Sequence, residues 1–182
     1  MTKSVSQKNT QNDGEIAMET AIASLEQSQP LDALQRFPAV VVSAIKGMAD
    51  SKIRQPEKEG KWSILEVLQH LADLELIFGY RVRMILAHPE PPIQGMDPDL
   101  WAKHLKYATT ANLVPSLDQL IFLRKMNLRL YHSLAEEQWK RVGIHSERGR
   151  ESVEDIVRFQ AKHDLTHLRQ IQRIKTVVLA KG

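Results

Sequence analysis

At 182 residues, with 42% hydrophobic and 26% charged residues, the chain is sized for one globular domain with its own core. Its 25 Lys and Arg stand against 22 Asp and Glu, a formal charge of +3, but the signs are interspersed and no like-charged block supports a nucleic-acid partner. No Cys is present, which excludes disulfides, thiolate metal sites and Cys nucleophiles and leaves imidazole and carboxylate as metal ligands.

In chain order, residues 1–13 are polar and read as a disordered tail, without the apolar centre of a secretory signal. Residues 14–30 follow as an N-terminal extension helix, with Met18, Ala21, Ile22 and Leu25 at helical spacing before Pro30. Residues 31–182 then form the main domain. Its first helix, over about 31–49, sets Leu34, Val41 and Ile45 on one side, and Pro38 should kink it or mark a new start. Residues 50–60, charged and holding Pro56 and Gly60, read as a connection.

Ser63-Ile64-Leu65-Glu66 is a capping box, and Trp62 before it can pack as a hydrophobic staple. The helix it opens runs to about Ala87, with Val67, Leu71, Leu74 and Ile77 as its apolar stripe, and ends at the proline-rich stretch from His88. Asp97-Pro98 supplies an N-cap and a first-turn proline for a short helix through Trp101 to about Leu105. A third long helix spans about 115–134. Between Glu136 and Arg150, Val142-Gly143-Ile144 marks an irregular excursion with a little strand character, and no hairpin signature is visible. Ser152, with Asp155 three residues on, opens the last helix, which reaches about Leu179. Four long amphipathic helices make an all-α bundle the natural architecture. No apolar stretch approaches the roughly 20 residues that span a bilayer, so no membrane partner and a cytoplasmic location are expected.

Three of the seven histidines stand apart. His163 and His167, at i and i+4, lie on one helix face with Ile156, Phe159, Gln160, Gln170 and Ile174. His70 follows Val67 by three and precedes Leu74 by four, beside the buried stripe of its own helix. A buried imidazole needs partners for both nitrogens, since an unsatisfied polar group costs about 1–3 kcal/mol. Spacing alone leaves two readings open. Each histidine is hydrogen-bonded in the core, or the three meet at a divalent metal with one open position, the arrangement of catalytic sites. His88, His104, His132 and His145 fall in loops or on helix surfaces and are expected to be solvated. Asp164 either orients an imidazole or is a surface charge, and Gln170 either lines the pocket or packs as an amide. Asp97 is read as a helix cap, and Trp62 and Trp101 as packing residues.

Gly60-Lys-Trp-Ser-Ile-Leu-Glu-Val-Leu-Gln-His-Leu-Ala-Asp-Leu-Glu75 and His163-Asp-Leu-Thr-His-Leu-Arg-Gln-Ile171 together resemble the DinB-like superfamily, and within it the YfiT-like metal-dependent hydrolases. Pro91 to Ala102 is similar to that family's proline-rich loop leading to an acidic-then-tryptophan helix, and Leu134 to Trp139 also fits. The resemblance covers roughly residues 31–175. It implies a four-helix bundle with up-down-down-up connectivity, often a homodimer, and a three-histidine site carried here by His70, His163 and His167. Zinc or nickel is the metal it points to first, with iron or manganese as further options. The implied activity on a small-molecule substrate is hydrolysis or, slightly favoured, thiol S-transfer. Because the chain has no Cys, a low-molecular-weight thiol (bacillithiol, mycothiol or glutathione in relatives) would be the cosubstrate. The rival is a non-catalytic helical dimer whose metal is structural or absent. Lys162 stands where some relatives carry an aromatic residue, and the first 30 residues lie outside the pattern.

Overall fold

Two serines start the longest helices. Ser63 Oγ accepts the Glu66 amide at 3.3 Å while Glu66 Oε2 accepts the Ser63 amide at 2.8 Å, opening α4 (Ile64–Ala87). Ser152 and Asp155 repeat the exchange at 3.0 and 3.1 Å, opening α9 (Val153–Ala180). The computed structural model describes residues 16–181; the tail read over 1–13 lies outside them.

The remaining elements are α1 (16–26), α2 (Pro30–Ile45), α3 (Asp50–Ile53), β1 (Pro92–Ile93), α5 (Pro98–His104), α6 (Tyr107–Thr110), α7 (Leu113–His132), α8 (Glu136–Trp139), β2 (Val142–His145) and β3 (Gly149–Ser152). Helices α2, α4, α7 and α9 form the bundle, and α1 adds Met18, Ile22 and Leu25 to the common core. The short turns α3, α6 and α8 fall in stretches read as connections. No helix among the described residues is long and apolar enough to cross a membrane.

Side-chain pairs fix the helix directions. Along α4 and α7, Gln69 meets Ser116, Asp73 meets Gln119 and Glu75 meets Arg124, so both numbers rise together and the two helices run parallel. Between α4 and α9, His70 meets His163 and Glu75 meets Gln160, so these run antiparallel. Lys175 of α9 donates to Ala44 O near the end of α2, and Lys52 just beyond α2 donates to Val178 O, so α2 and α9 share a direction. The order is therefore up-down-down-up. Parallel α4 and α7 require residues 88–112 to cross the full bundle length, and that return carries β1, α5 and α6.

Pro38 does not mark a new start, one of the two readings its position offered: α2 runs through it from Pro30 to Ile45. Lacking an amide hydrogen, it leaves the Leu34 carbonyl without its i→i−4 partner. Arg124 Nη1 donates to that carbonyl at 2.7 Å, so a guanidinium from α7 completes the helix that the proline interrupts.

The excursion before α9 is an ordered antiparallel hairpin of β2 and β3, with β1 added parallel to β2 in the order β1-β2-β3. Its turn, Ser146-Glu147-Arg148, closes on Gly149 at φ +77°, a left-handed position that glycine adopts without a Cβ penalty. Ser146 Oγ accepts the Gly95 amide at 3.0 Å, tying the hairpin tip to the loop after β1.

Candidate metal centre

α4 and α9 face each other with their histidines at one level. His163 Nε2 lies 3.4 Å from His70 Nε2 and 3.0 Å from His167 Nε2, and a ligand atom from each residue falls within 4.8 Å of the others. A tetrahedral ion with nitrogen ligands at about 2.0–2.1 Å sets those nitrogens about 3.3 Å apart, and the observed separations bracket that value. His70 is buried at 2% exposure; His163 and His167 are half-buried.

The electrostatics agree with the distances. Burial holds His70 and His163 down to about 3, with neighbouring imidazoles adding to the depression, and burial lowers His167 against an opposing pull from Gln170. All three are therefore neutral at pH 7, the protonation state a metal ligand needs. Gln170 Oε1 sits 2.7 Å from His167 Nδ1; an amide oxygen only accepts, so the proton is on Nδ1 and the Nε2 lone pair faces the cluster. The Nδ1 atoms of His70 and His163 are buried without a partner among the described residues. Aromatic rings wall the site: Trp62 lies 5.0 Å from the His70 ring, and Phe159 and Phe78 lie 5.9 and 6.3 Å from His163. The donor set thus fits one divalent ion with a position left open.

Beside the histidines lies a buried charged network that sequence periodicity did not show. Arg124, 2% exposed, donates through Nε to Glu75 Oε1 and through Nη2 to Asp164 Oδ2, each at 2.7 Å. Glu75 also accepts from Gln160 Nε2 and from Asn127 Nδ2, while among the described residues Asp164 has Arg124 alone. Burial pushes the Asp164 carboxyl up to about 7, against the pull of Arg124. The network links α2, α4, α7 and α9 within one turn of the candidate ligands.

The other sequence-derived candidates divide. Gln170 touches His167 directly. Asp164 bonds to no imidazole and is no surface charge: at 4% exposure it serves Arg124, because its helix face points to α7 rather than to the histidines. Asp97 caps α5, accepting from the amides of Asp99 and Leu100. Trp62 packs on His70, and Trp101 lines a cavity between α4 and the loop after β1. His88, His104 and His132 are exposed, but His145 is buried at 3%, since β2 turns it inward where its Nδ1 accepts the Glu147 amide of the hairpin turn. Phe159, grouped with the inward face, is 41% exposed. Arg124 and Asn127 were missed because the buried stripe of α7 runs Ser116, Leu120, Arg124, Asn127, Tyr131, a helical period written mostly in polar residues. Arg81, 7% exposed on α4, was missed in the same way.

Comparison with known proteins agrees with this geometry. A relative from Bacillus subtilis (strain 168), carrying the name "Putative metal-dependent hydrolase YfiT", is 26% identical over 164 residues, covering 88% of this chain and 92% of its own. A relative from Oceanobacillus iheyensis, also named as a metal-dependent hydrolase in that provisional form, is 26% identical over 128 residues, covering 70% and 73%. The solved structure of YfiT, described as a probable metal-dependent hydrolase with an unusual four-helix bundle topology, superposes with a TM-score of 0.73 at 27% identity over 80% of this chain and 83% of that one. The sequence profile of the DinB superfamily matches residues 33–171, a span that holds the bundle helices from α2 into α9 and all three clustered histidines; this chain belongs to the DinB superfamily.

Proposed function

We propose that this protein is a metal-dependent enzyme acting on a small molecule, with one divalent ion held by His70, His163 and His167 and one position open to the reactant. The observation that carries the reading is the convergence of three neutral Nε2 atoms at 3.0 and 3.4 Å. Held by neutral ligands, a divalent ion keeps its full charge and makes water or a small thiol nucleophilic near neutral pH. The chain's own residues do the rest. Gln170 holds His167 in the tautomer that presents Nε2. Trp62 and Phe78 exclude water from the flanks and lower the local dielectric.

The names of the relatives support hydrolysis, and the wider family resemblance supports thiol transfer; with no Cys in the chain, any thiol comes from a cosubstrate. Zinc and nickel are the metals we favour, with iron and manganese next, since three imidazoles suit all of them. A homodimer belongs to the same proposal, supported by the resemblance and by Val42, Ile121 and Phe122, which leave apolar surface on α2 and α7. Sedimentation at micromolar concentration checks it, and a monomer overturns it.

Elemental analysis of protein purified without a His-tag tests the centre. One bound ion per chain is expected, lost in His167→Ala and kept in His132→Ala, whose side chain is exposed. Protein that stays metal-free after incubation with zinc, nickel or manganese sinks the proposal. It would leave instead a metal-free imidazole chain, for which His163 Nε2 is already within reach of both neighbours. Turnover of ester and amide substrates, against conjugation of several thiols to an electrophile, separates hydrolase from transferase.

A further inference from the structure

Arg81 is a buried cation with no ion-pair partner among the described residues. It is 7% exposed, and among the described residues no carboxylate oxygen lies within the 4.0 Å that defines an ion pair. Its one hydrogen bond there runs from Nη2 to the Gln94 carbonyl, at 2.7 Å. The acidic groups nearby are committed or exposed: Glu151 accepts a two-pronged bond from Arg148, and Glu147 sits on the exposed hairpin turn. Burial and the charge of Arg148 lower the Arg81 pKa in spite of both acids. A second donor beside it is also unanswered. His145 Nδ1 accepts the Glu147 amide, so its proton is on Nε2, and that atom is buried with no partner among the described residues. A buried charge is costly unless paired, so an anion from outside the fold would complete what this arrangement leaves open.

The place is also shaped for a ligand. A cavity of about 240 Å3 opens at Arg81, lined among others by Ile77, Tyr80, Ile93, Gln94 and Trp101. On α4, Ile77 and Arg81 are seven and eleven residues beyond His70, each within about 20° of its direction and about 10 and 16 Å further along the axis. Phe78 bridges the two ends, with its ring 6.3 Å from that of His163 and 6.0 Å from the Arg81 guanidinium. The candidate metal centre and the cavity therefore share one wall of one helix.

We propose that this cavity is the far end of the reactant's binding site, where Arg81 receives a carboxylate or phosphate carried on the order of 10 Å from the reacting group. The substrate class is an elongated small molecule with an apolar middle, matched to Ile77, Tyr80 and Trp101, and an anionic end. Only the naming of the occupant as reactant rests on the metal-centre reading; anion capture by Arg81 does not.

The test uses the full chain, stripped of metal with chelator so that no ion answers for the carboxylate, and compares 4-phenylbutyrate with its neutral amide by calorimetry. The carboxylate should bind at least tenfold more tightly, Arg81→Met should abolish the difference, and Arg81→Lys should restore part of it. Arg81→Met should also keep a melting temperature equal to or above that of the parent, because it removes an uncompensated buried charge. Equal binding of the two probes, or no binding of either at millimolar concentration, overturns the proposal. So does a fall in melting temperature in Arg81→Met, which would make the arginine a strut for the Gln94 carbonyl. Metal content is read separately on the parent; no anion preference in a parent that takes up one ion per chain refutes this inference and leaves the metal centre standing.

Discussion

Replacing Arg124 with Met removes at one stroke three bonds that hold the bundle together. The side chain is buried at 2%, and Met fills most of its volume, so packing loss is secondary. What remains is polar: Glu75 and Asp164 face each other without a cation, and the Leu34 carbonyl, already deprived of an amide by Pro38, loses its only substitute. Breaking a buried ion pair from one side costs about 3–5 kcal/mol. Against a total stability of roughly 5–15 kcal/mol this is a large fraction. The pH dependence gives the cause away. Burial already holds Asp164 at about 7, above its unfolded value, and without Arg124 it rises further. A carboxyl with a raised folded pKa contributes stability below its unfolded pKa and loses it as pH rises through the folded one. The deficit of Arg124→Met should therefore be largest near pH 8 and shrink towards pH 6, by about 1.4 kcal/mol per pH unit for each extra proton the variant binds. Histidine protonation affects both proteins alike and cancels in the difference.

Adding Pro38→Ala supplies the missing amide to Leu34 O, so it should recover about 1 kcal/mol more in the Arg124→Met background than in the parent. Urea unfolding of chelator-treated protein, followed by circular dichroism at the two pH values, measures all four corners of this cycle. A deficit below about 1 kcal/mol, a deficit independent of pH, or strict additivity with Pro38→Ala would refute the network as described.

Other consequences are more direct. Gln170→Ala should weaken metal binding by about 10–100-fold, while Gln170→Glu, which keeps an acceptor for His167 Nδ1, should retain it in a competitive chelator titration. His70 and His163 are held near 3 in the folded protein, below their unfolded values, so the unfolded chain takes up protons first. Metal-free stability should fall as pH drops from about 6.5 towards 3, by about 2 kcal/mol per histidine at pH 5, and His70→Ala should flatten that slope in acid titration. Gly79→Ala drives a Cβ into the Asn127 side chain at the close approach of α4 and α7 and should cost about 1–3 kcal/mol in urea, despite alanine's better helix propensity.

Features written locally were legible in the sequence. Ser63 and Ser152 each sit three residues before the acid that completes the cap, and Asp97 precedes Pro98, so three helix starts could be read from adjacent residues. The three histidines could be placed on two helix faces for the same reason, and the structure brings those faces together. What escaped depends on contacts between distant segments. Pro38 signalled a kink or a new start because the group that satisfies Leu34 lies 90 residues away. Asp164 presented two plausible roles from its position in the chain, and the buried arginine that decides against both is on another helix. His145 looked solvated because its hairpin has no Asn-Gly or Asp-Gly turn; Gly149, the residue that permits the turn, sits after three polar residues like those of any loop.

The buried polar groups of this bundle fall into two kinds, and the difference locates function better than burial alone. Around Arg124 every charge is answered inside the fold: two carboxylates meet one guanidinium, Gln160 and Asn127 fill further acceptor sites, and even the carbonyl freed by Pro38 is bonded. Such closure fixes the register of four helices and asks for no ligand. Within a turn or two along α4 the accounting stays open. At His70 three imidazole Nε2 atoms converge, and at Arg81 a cation has a carbonyl but no carboxylate, while the Nε2–H of His145 has no acceptor among the described residues. One opening asks for a cation and the other for an anion, and Phe78 stands between them. The occupant we propose, a divalent ion at one end and the acidic end of a small molecule at the other, answers both openings at once.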